Sequence, residues 1–575
     1  MALLRFARFL ILVAIVSVLA APAAFASPPG AVRSLRAWAK CDGVHDDTDG
    51  VTKAFAAAAN GAFTLNVDCP AFINVGNDVA KTIFLDNGLT VAFSPGGLFI
   101  VDNSLIPTFV IANSHDVALK NWRVEYRGGI PVDANIGYYV MAGQRIASVA
   151  HDPPAGLFND QRLAAWLTAN RGLTFSRGLK PDWAGPTEIT SIFYLVGQTS
   201  RVTISGMSVF APRSARGDQL IPMVFAMAPG WDSNQTIVTG APRDGAHYAV
   251  PSDLKFSNID IDGAYMGWCG ALQNAVIEHV RSHRYGDLQD ASGGQIGGNS
   301  IVQGKPYRWF APPHLFYLTF DPAMDRSLHN KNIRITDVVD DGTRIGVSLG
   351  TYERGHLLSL KISGDDSIVD GYRSNRPDGL LDVLDSRNLT IRNVEATYDS
   401  SFMRDIYPGI RFPGAGYHGV TLENITLNDV AQATKQAPIW PSSAPDQGDI
   451  VFKNVRLILN NWVGPGGPAG ILRTAFPGAG DQINIAVTVR ATHASMSLAQ
   501  TGPISAALAV SRLASLQGPG NQITWSSGAQ ATACLASGAW SGEVGRQGNR
   551  SLPVSGSPYR LTCSGPGGAA TVVAP

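Results

Sequence analysis

The chain has 575 residues, with 45 Lys and Arg against 45 Asp and Glu and only 16% charged residues in all. A zero balance excludes a nucleic-acid binder working through a basic stripe, and equally an acidic disordered tail. Gly (61) and Pro (35) are frequent enough for many turns but stay below the disordered range. At the N-terminus, Arg5 and Arg8 precede the apolar run FLILVAIVSVLA, which leads to the small-residue site Ala24-Phe25-Ala26. This reads as a secretory signal peptide over residues 1–26, with an apolar core too short to span a bilayer. The expectation is a secreted or periplasmic protein with no membrane insertion. Export permits disulfides. Of the five cysteines, Cys534 is paired with Cys563 and Cys41 with Cys69, and Cys269 is left over as a buried thiol; none has a zinc spacing.

The next element is a helix. Asp46, Asp47 and Thr48 suit the N-cap and first turn of the Ala-rich stretch VTKAFAAAA. Further on, three segments align without gaps: Asn388-Leu-Thr-Ile-Arg-Asn393, Gly419-Val-Thr-Leu-Glu-Asn424 and Asp449-Ile-Val-Phe-Lys-Asn454. Looser copies end at Asn121, Gly206, Asn258 and Asp337. Apolar alternation at period two means strands with one buried face. Such strands recurring every 30 or 31 residues cannot bury that face singly, so they must stack as coils around a shared core. The Asn after each strand suits an αL turn and, stacked, a ladder. A right-handed parallel β-helix is the best-fitting fold, within an all-β class. The segment Asp42-Gly43-Val44-His45-Asp46-Asp47-Thr48 resembles the DGVxDDT opening of pectin-lyase-like β-helix proteins. That resemblance implies a helix capping the N-terminal end of the solenoid.

The β-helix domain is read as residues 27–510, with long interruptions near 129–188, 211–252 and 288–328. Loops of that length are usually functional and gather on one face of a repeat fold. Residues 511–575 differ in character: short strands, Trp525 before Cys534, and Cys563 in a second strand. They resemble a small bacterial immunoglobulin-like β-sandwich, read as a spacer or carbohydrate-contact module.

Chemistry is sought where acids and bases recur at one phase of successive coils. Arg376-Pro-Asp378-Gly-Leu-Leu-Asp382 resembles the NTDGxD coil of polygalacturonase-type glycoside hydrolases, with Asp378 at the catalytic Asp. Arg-Pro replaces that family's Asn-Thr, and its later Gly-His-Gly and Arg-Ile-Lys motifs are absent. One coil earlier lies Asp340-Asp341-Gly342 with Arg344; two coils earlier, His283 and Asp287; one coil later, Arg411. Inverting hydrolysis needs an acid and a base about 6.5–9.5 Å apart, which Asp341 and Asp378 could supply, with Asp382 or Asp287 as substitutes. Arg344, Arg376 and Arg411 would bind substrate carboxylates, helped by His283, His314 and Trp309. The plainer readings are turns at Pro-Asp-Gly and Asp-Asp-Gly, and acid–arginine pairs in a solvated ladder. Gly364-Asp365-Asp366 is assigned to a turn.

Three functions follow from this reading. The first is a hydrolase of an acidic polysaccharide that uses paired aspartates and needs no metal or other cofactor. The second is a polysaccharide lyase with Arg344, Arg376, Lys361 or His283 as base, the only case in which calcium would enter. The third is a non-catalytic carbohydrate-binding solenoid.

Overall fold

The computed structural model describes residues 30–76, 78–102, 106–127, 132–133, 138–141, 144–148, 160–173, 191–212, 221–227, 250–286, 300–302, 305–307, 314–318, 326–345, 360–375, 381–398, 409–412, 417–430, 439–441, 450–460, 482–490, 495–503, 515–517, 522–526, 533–545, 547–551, 557–565 and 568–574. The leader reading falls outside these residues.

Strands Phe109–Ala112, Phe193–Val196, Ile221–Met227, Ala264–Gly270, His314–Leu318, Leu360–Ile362, Leu381–Val383, Ile410–Phe412 and Ile439–Pro441 pair in that order, all parallel, as a first sheet. The strands Ile221–Met227 and His314–Leu318 lie within spans that the sequence marks as interruptions. Between consecutive first-sheet strands the chain runs through longer strands. Ser200–Phe210, Ser252–Asp262, Gln273–Gly286 and Lys331–Ile345 are followed by Ile368–Ser374, Thr390–Tyr398, Val420–Asp429 and Ile450–Asn460. These too are parallel.

Each long strand turns a corner at one left-handed residue. Gly206, Asn258, His279, Asp337, Gly371, Asn393, Asn424 and Asn454 all have φ between 50° and 72°. At the N-terminal end the same corner is Asn121, where His115–Lys120 and Arg123–Tyr126 are separate strands pairing with the two halves of Ser200–Phe210. Every coil therefore contributes to a first, a second and a third sheet. The molecule is a parallel β-helix.

The corners show why Asn recurs in the sequence. Asn tolerates αL, and its amide reaches the next coil. Asn454 Nδ2 donates to Asn424 Oδ1 at 2.8 Å, Asn424 Nδ2 to Asn393 Oδ1 at 3.1 Å, and Asn393 Nδ2 to Asp370 Oδ1 at 2.7 Å. Gly206 fits a tighter stack, since a Cβ there would lie 2.5 Å from Asn121 Oδ1.

Inward side chains stack in register. Phe109, Phe193, Phe225, Trp268 and Phe316 form a column with ring centroids 4.8–5.4 Å apart. The spacing is that of neighbouring strands, so the sheet itself sets the offset-stacked geometry that aromatic rings prefer. The N-terminal end of this column is closed by the helix Thr48–Ala58, whose Phe55 meets Phe99, Phe109 and Trp122 at 6.2 Å. Asp46 caps that helix, accepting from the Thr48 amide at 3.0 Å. Asp47 occupies the N-cap position, but its carboxylate instead accepts from the Lys40 and Cys41 amides, tying down the preceding loop.

Parallel stacking ends with Gln482–Arg490 on Ile450–Asn460. Ser495–Pro503 then pairs antiparallel with it and carries Gly568–Ala574 on its other edge. The C-terminal strands form small antiparallel sheets, with Cys534 and Cys563 bridged directly across two of them. Trp525 and Trp540 are buried in edge-to-face contact at 5.0 Å. Cys41 and Cys69 form the second disulfide. Cys269 corrects an expectation: it is outside both bridges and only half-buried, because it sits on the outward side of Ala264–Gly270.

Candidate functional site

From Ser200–Phe210 to Ile450–Asn460 the second-to-third corner is a single residue, so in these coils added chain length goes elsewhere. The connections 127 to 193, 210 to 221, 286 to 314 and 345 to 360 all enter the first sheet, and those from 227 to 252 and 318 to 326 leave it. The first sheet is thus the face on which the coils differ most.

Alternation with the inward aromatic column puts one outward residue per coil in line. In register order these are Val110, Tyr194, Ala226, Cys269, Tyr317, Lys361, Asp382 and Arg411. The row changes character along its length, from apolar at Val110 to charged at Lys361 and beyond. Lys361 Nζ lies 3.4 Å from the Tyr317 hydroxyl and 4.7 Å from its ring centroid. Arg411 grips Asp382 through two nitrogens, with Nε donating to Oδ1 at 2.7 Å and Nη2 to Oδ2. Asp382 is fully buried, whereas Lys361 and Arg411 keep part of their surface open. Neighbouring strands lie about 4.8 Å apart, so the row offers one functional group per strand spacing.

The sequence nominated Asp382 and Arg411, and Lys361 as a base; Tyr317 was missed. Its strand has five residues and lacks the Asn-ending pattern, so only its register with Lys361 reveals it. His314, on the same strand, is buried and meets the Tyr317 ring edge-on at 4.9 Å.

A second group lies at the end of the third sheet, where the chain turns toward the first. His283 is exposed, with Nε2 3.0 Å from Asp260 Oδ1. Asp341 is also exposed, and Asn375 Nδ2 of the next coil is 3.4 Å from its Oδ1. Asp340 instead points into the core, aligned with Ser282 and Ser374. The backbone of Arg344 is the penultimate residue of the strand that carries Asp340 and Asp341. Asp378, Asp287, Arg376 and Trp309 lie outside the described residues.

Other acids and arginines form ladders away from the long connections. The Arg392 guanidinium, bonded to Asp370, holds that carboxyl below its ordinary range. Asp337 is lowered chiefly by its bond to His279, and by Arg281 as well. Arg201 and His115 lower Asp116. None of these acids is among those nominated from the sequence, and the nominated Arg411 pairs with a buried carboxylate instead of a solvated one. Asp366 is an αL turn residue (φ 49°), as its Gly-Asp-Asp setting implies. Asp365 beside it receives Arg326 at 2.8 and 3.0 Å, while the same guanidinium reaches Asp385 one coil on at 3.3 Å. Among the described residues no three His, Cys, Asp or Glu side chains cluster as a metal site.

No protein-family model and no curated protein matches the chain. Among solved structures it is similar to the surface adhesin PfbA of Streptococcus pneumoniae, at 9% identity over 80% of this chain and 91% of that one, TM-score 0.32. It is also similar to the mannuronan C-5 epimerase A-module of Azotobacter vinelandii, at 9% identity over 75% and 96% of the two chains, TM-score 0.33. A third is the family 28 exopolygalacturonase of Yersinia enterocolitica, at 10% identity over 81% and 78%, TM-score 0.29. Values this low assign no activity to this chain.

Proposed function

We propose that the protein is an exported enzyme that binds an acidic polysaccharide along the outward row of the first sheet and cleaves it by elimination. The observation that carries this reading is the alignment of Tyr317, Lys361, Asp382 and Arg411 on consecutive coils of the sheet where the long connections gather. Elimination needs a base for the proton on the carbon next to a uronate carboxylate, and cations to stabilise the charge that builds on that carboxylate. With its phenol ionised, the Tyr317 oxygen, which accepts from the Lys361 ammonium, would take that proton and become the phenol. The C–H electrons then form the new double bond, the C–O bond to the leaving sugar breaks, and its oxygen takes up a proton from the same pair. Arg411, its fork fixed by Asp382, serves carboxylate recognition, since a guanidinium has five N–H donors in all. Asp382 is buried against that guanidinium, which suits support of the arginine better than the acid role in hydrolysis.

Hydrolysis by Asp341 and Asp378 is the second reading. It is favoured by the exposure of Asp341 and by its contact with Asn375, three residues before Asp378. The signal-peptide pattern and the two disulfides support export.

The test is incubation of the mature protein with acidic polysaccharides, following reducing ends and the ultraviolet absorbance of unsaturated uronides together. Elimination predicts that both rise, and that Tyr317→Phe and Lys361→Gln each lower the rate by about 100-fold or more while Asp378→Asn does not. Reducing ends without absorbance, abolished by Asp378→Asn, would replace elimination with hydrolysis.

A further inference from the structure

We infer that the C-terminal strands are the end cap of the solenoid and that the Cys534–Cys563 bridge is its redox-operated latch. A terminal coil has a neighbour on one side only, so it offers unpaired backbone groups and uncovered apolar surface unless something closes it. At the N-terminal end the helix Thr48–Ala58 does this. At the other end the sheet does not stop with the last parallel pair. Ile450–Asn460, Gln482–Arg490, Ser495–Pro503, Gly568–Ala574, Tyr559–Gly565, Ala533–Gly538 and Gly542–Val544 follow one another as hydrogen-bonded neighbours in one continuous sheet. The apolar interior is continuous too: Trp540, Leu561 and Val572 belong to the same buried core as Leu457 and Leu459 of the last long coil. A tethered module would have a core of its own.

The bridge sits where this cap would come apart. Cys534 and Cys563 face each other across neighbouring strands and are 3% and 0% exposed. They lie on the buried face, beside the paired Ala536 and Leu561. The strand they hold, Tyr559–Gly565, carries Gly568–Ala574, through which the cap meets Ser495–Pro503. That junction is two residue pairs long, Ser497 with Val573 and Leu498 with Val572, so it depends on the strands behind it. Closing the latch passes two electrons, with release of two protons, from the thiols to a disulfide oxidant, which becomes a dithiol. In a reducing compartment the thiols persist and this end stays loose; in an oxidising one it locks. Cys41–Cys69 is not needed in the same way, because the helix at that end is also held by Phe55 against Phe109.

The experiment uses the mature chain carrying Cys41→Ala/Cys69→Ala, so that one bridge remains. Amide hydrogen exchange is compared in the oxidised protein, after a dithiol reductant, and after reoxidation with oxidised glutathione. A latched cap predicts exchange about 100-fold faster or more after reduction at 559–565 and 568–574, with 450–460 also accelerated. Strands between 90 and 126 should not change, and reoxidation should restore the rest. Should that variant not fold, Cys534→Ala/Cys563→Ala against the oxidised wild type gives the same comparison. Acceleration confined to 533–574 would make the C-terminal region an independent unit and overturn the cap. Unchanged exchange, with thiol titration proving that the bridge was reduced, would overturn the latch.

Discussion

Replacing Arg411 with methionine should leave the Asp382 carboxylate buried without its guanidinium. Both carboxylate oxygens are engaged by that one side chain, and Asp382 is 0% exposed. Two unit charges about 4 Å apart at an effective dielectric of 20 attract by about 4 kcal/mol. Removing one partner of a buried pair typically costs about 3–5 kcal/mol, because the surviving charge keeps its desolvation penalty. Removing both charges with apolar residues of similar volume is often close to neutral. Arg411→Met is therefore expected to cost about 3–5 kcal/mol and Asp382→Leu/Arg411→Met much less. Urea unfolding followed by circular dichroism and by tryptophan fluorescence measures both, provided the two signals give coincident transitions. A single-variant cost below about 1 kcal/mol, the value of an exposed pair, would refute the assignment of a buried pair at this position.

Three further outcomes follow from the same geometry. Asn424→Ala should be less stable than Asn424→Gly by about 1–2 kcal/mol, because both lose the ladder bonds but only alanine is strained at φ 54°; equal midpoints in urea would count against αL strain. Asp370 is held below its ordinary value by Arg392, so its contribution is present above the unfolded carboxyl value near 3.9 and is lost as pH falls through the lower folded value. Asp370→Asn should accordingly destabilise by up to about 1 kcal/mol at neutral pH and converge on the wild type in acid; a gap that widens in acid would contradict the sign. Replacing Cys534 and Cys563 with alanine should lower the stability of the C-terminal sheets by about 3–4 kcal/mol for a sequence separation of 29, read by limited proteolysis of that region.

The local sequence determined the coil. Asn121, Gly206, Asn258, Asp337, Asn393, Asn424 and Asn454 were legible as corners because αL geometry admits few residue types, and all seven adopt it. The Cys534–Cys563 bridge was legible as well, whereas Cys41–Cys69 was the favoured choice in a pairing the sequence left open among Cys41, Cys69 and Cys269. The first sheet was harder to see. Its strands at 360–362, 381–383 and 410–412 are three residues long, too short for period-two alternation to register, and variable connections separate them. Asp382 and Arg411 were named as an acid and a substrate binder, yet nothing local says that they would grip each other 29 residues apart. Tyr317 could not be found at all, since its significance lies in standing one coil from Lys361. Chain-local geometry decided which residues turn the corners. Which side chains share the outward row depends on how many residues each connection spends before the next strand, and only the stacked structure decides that.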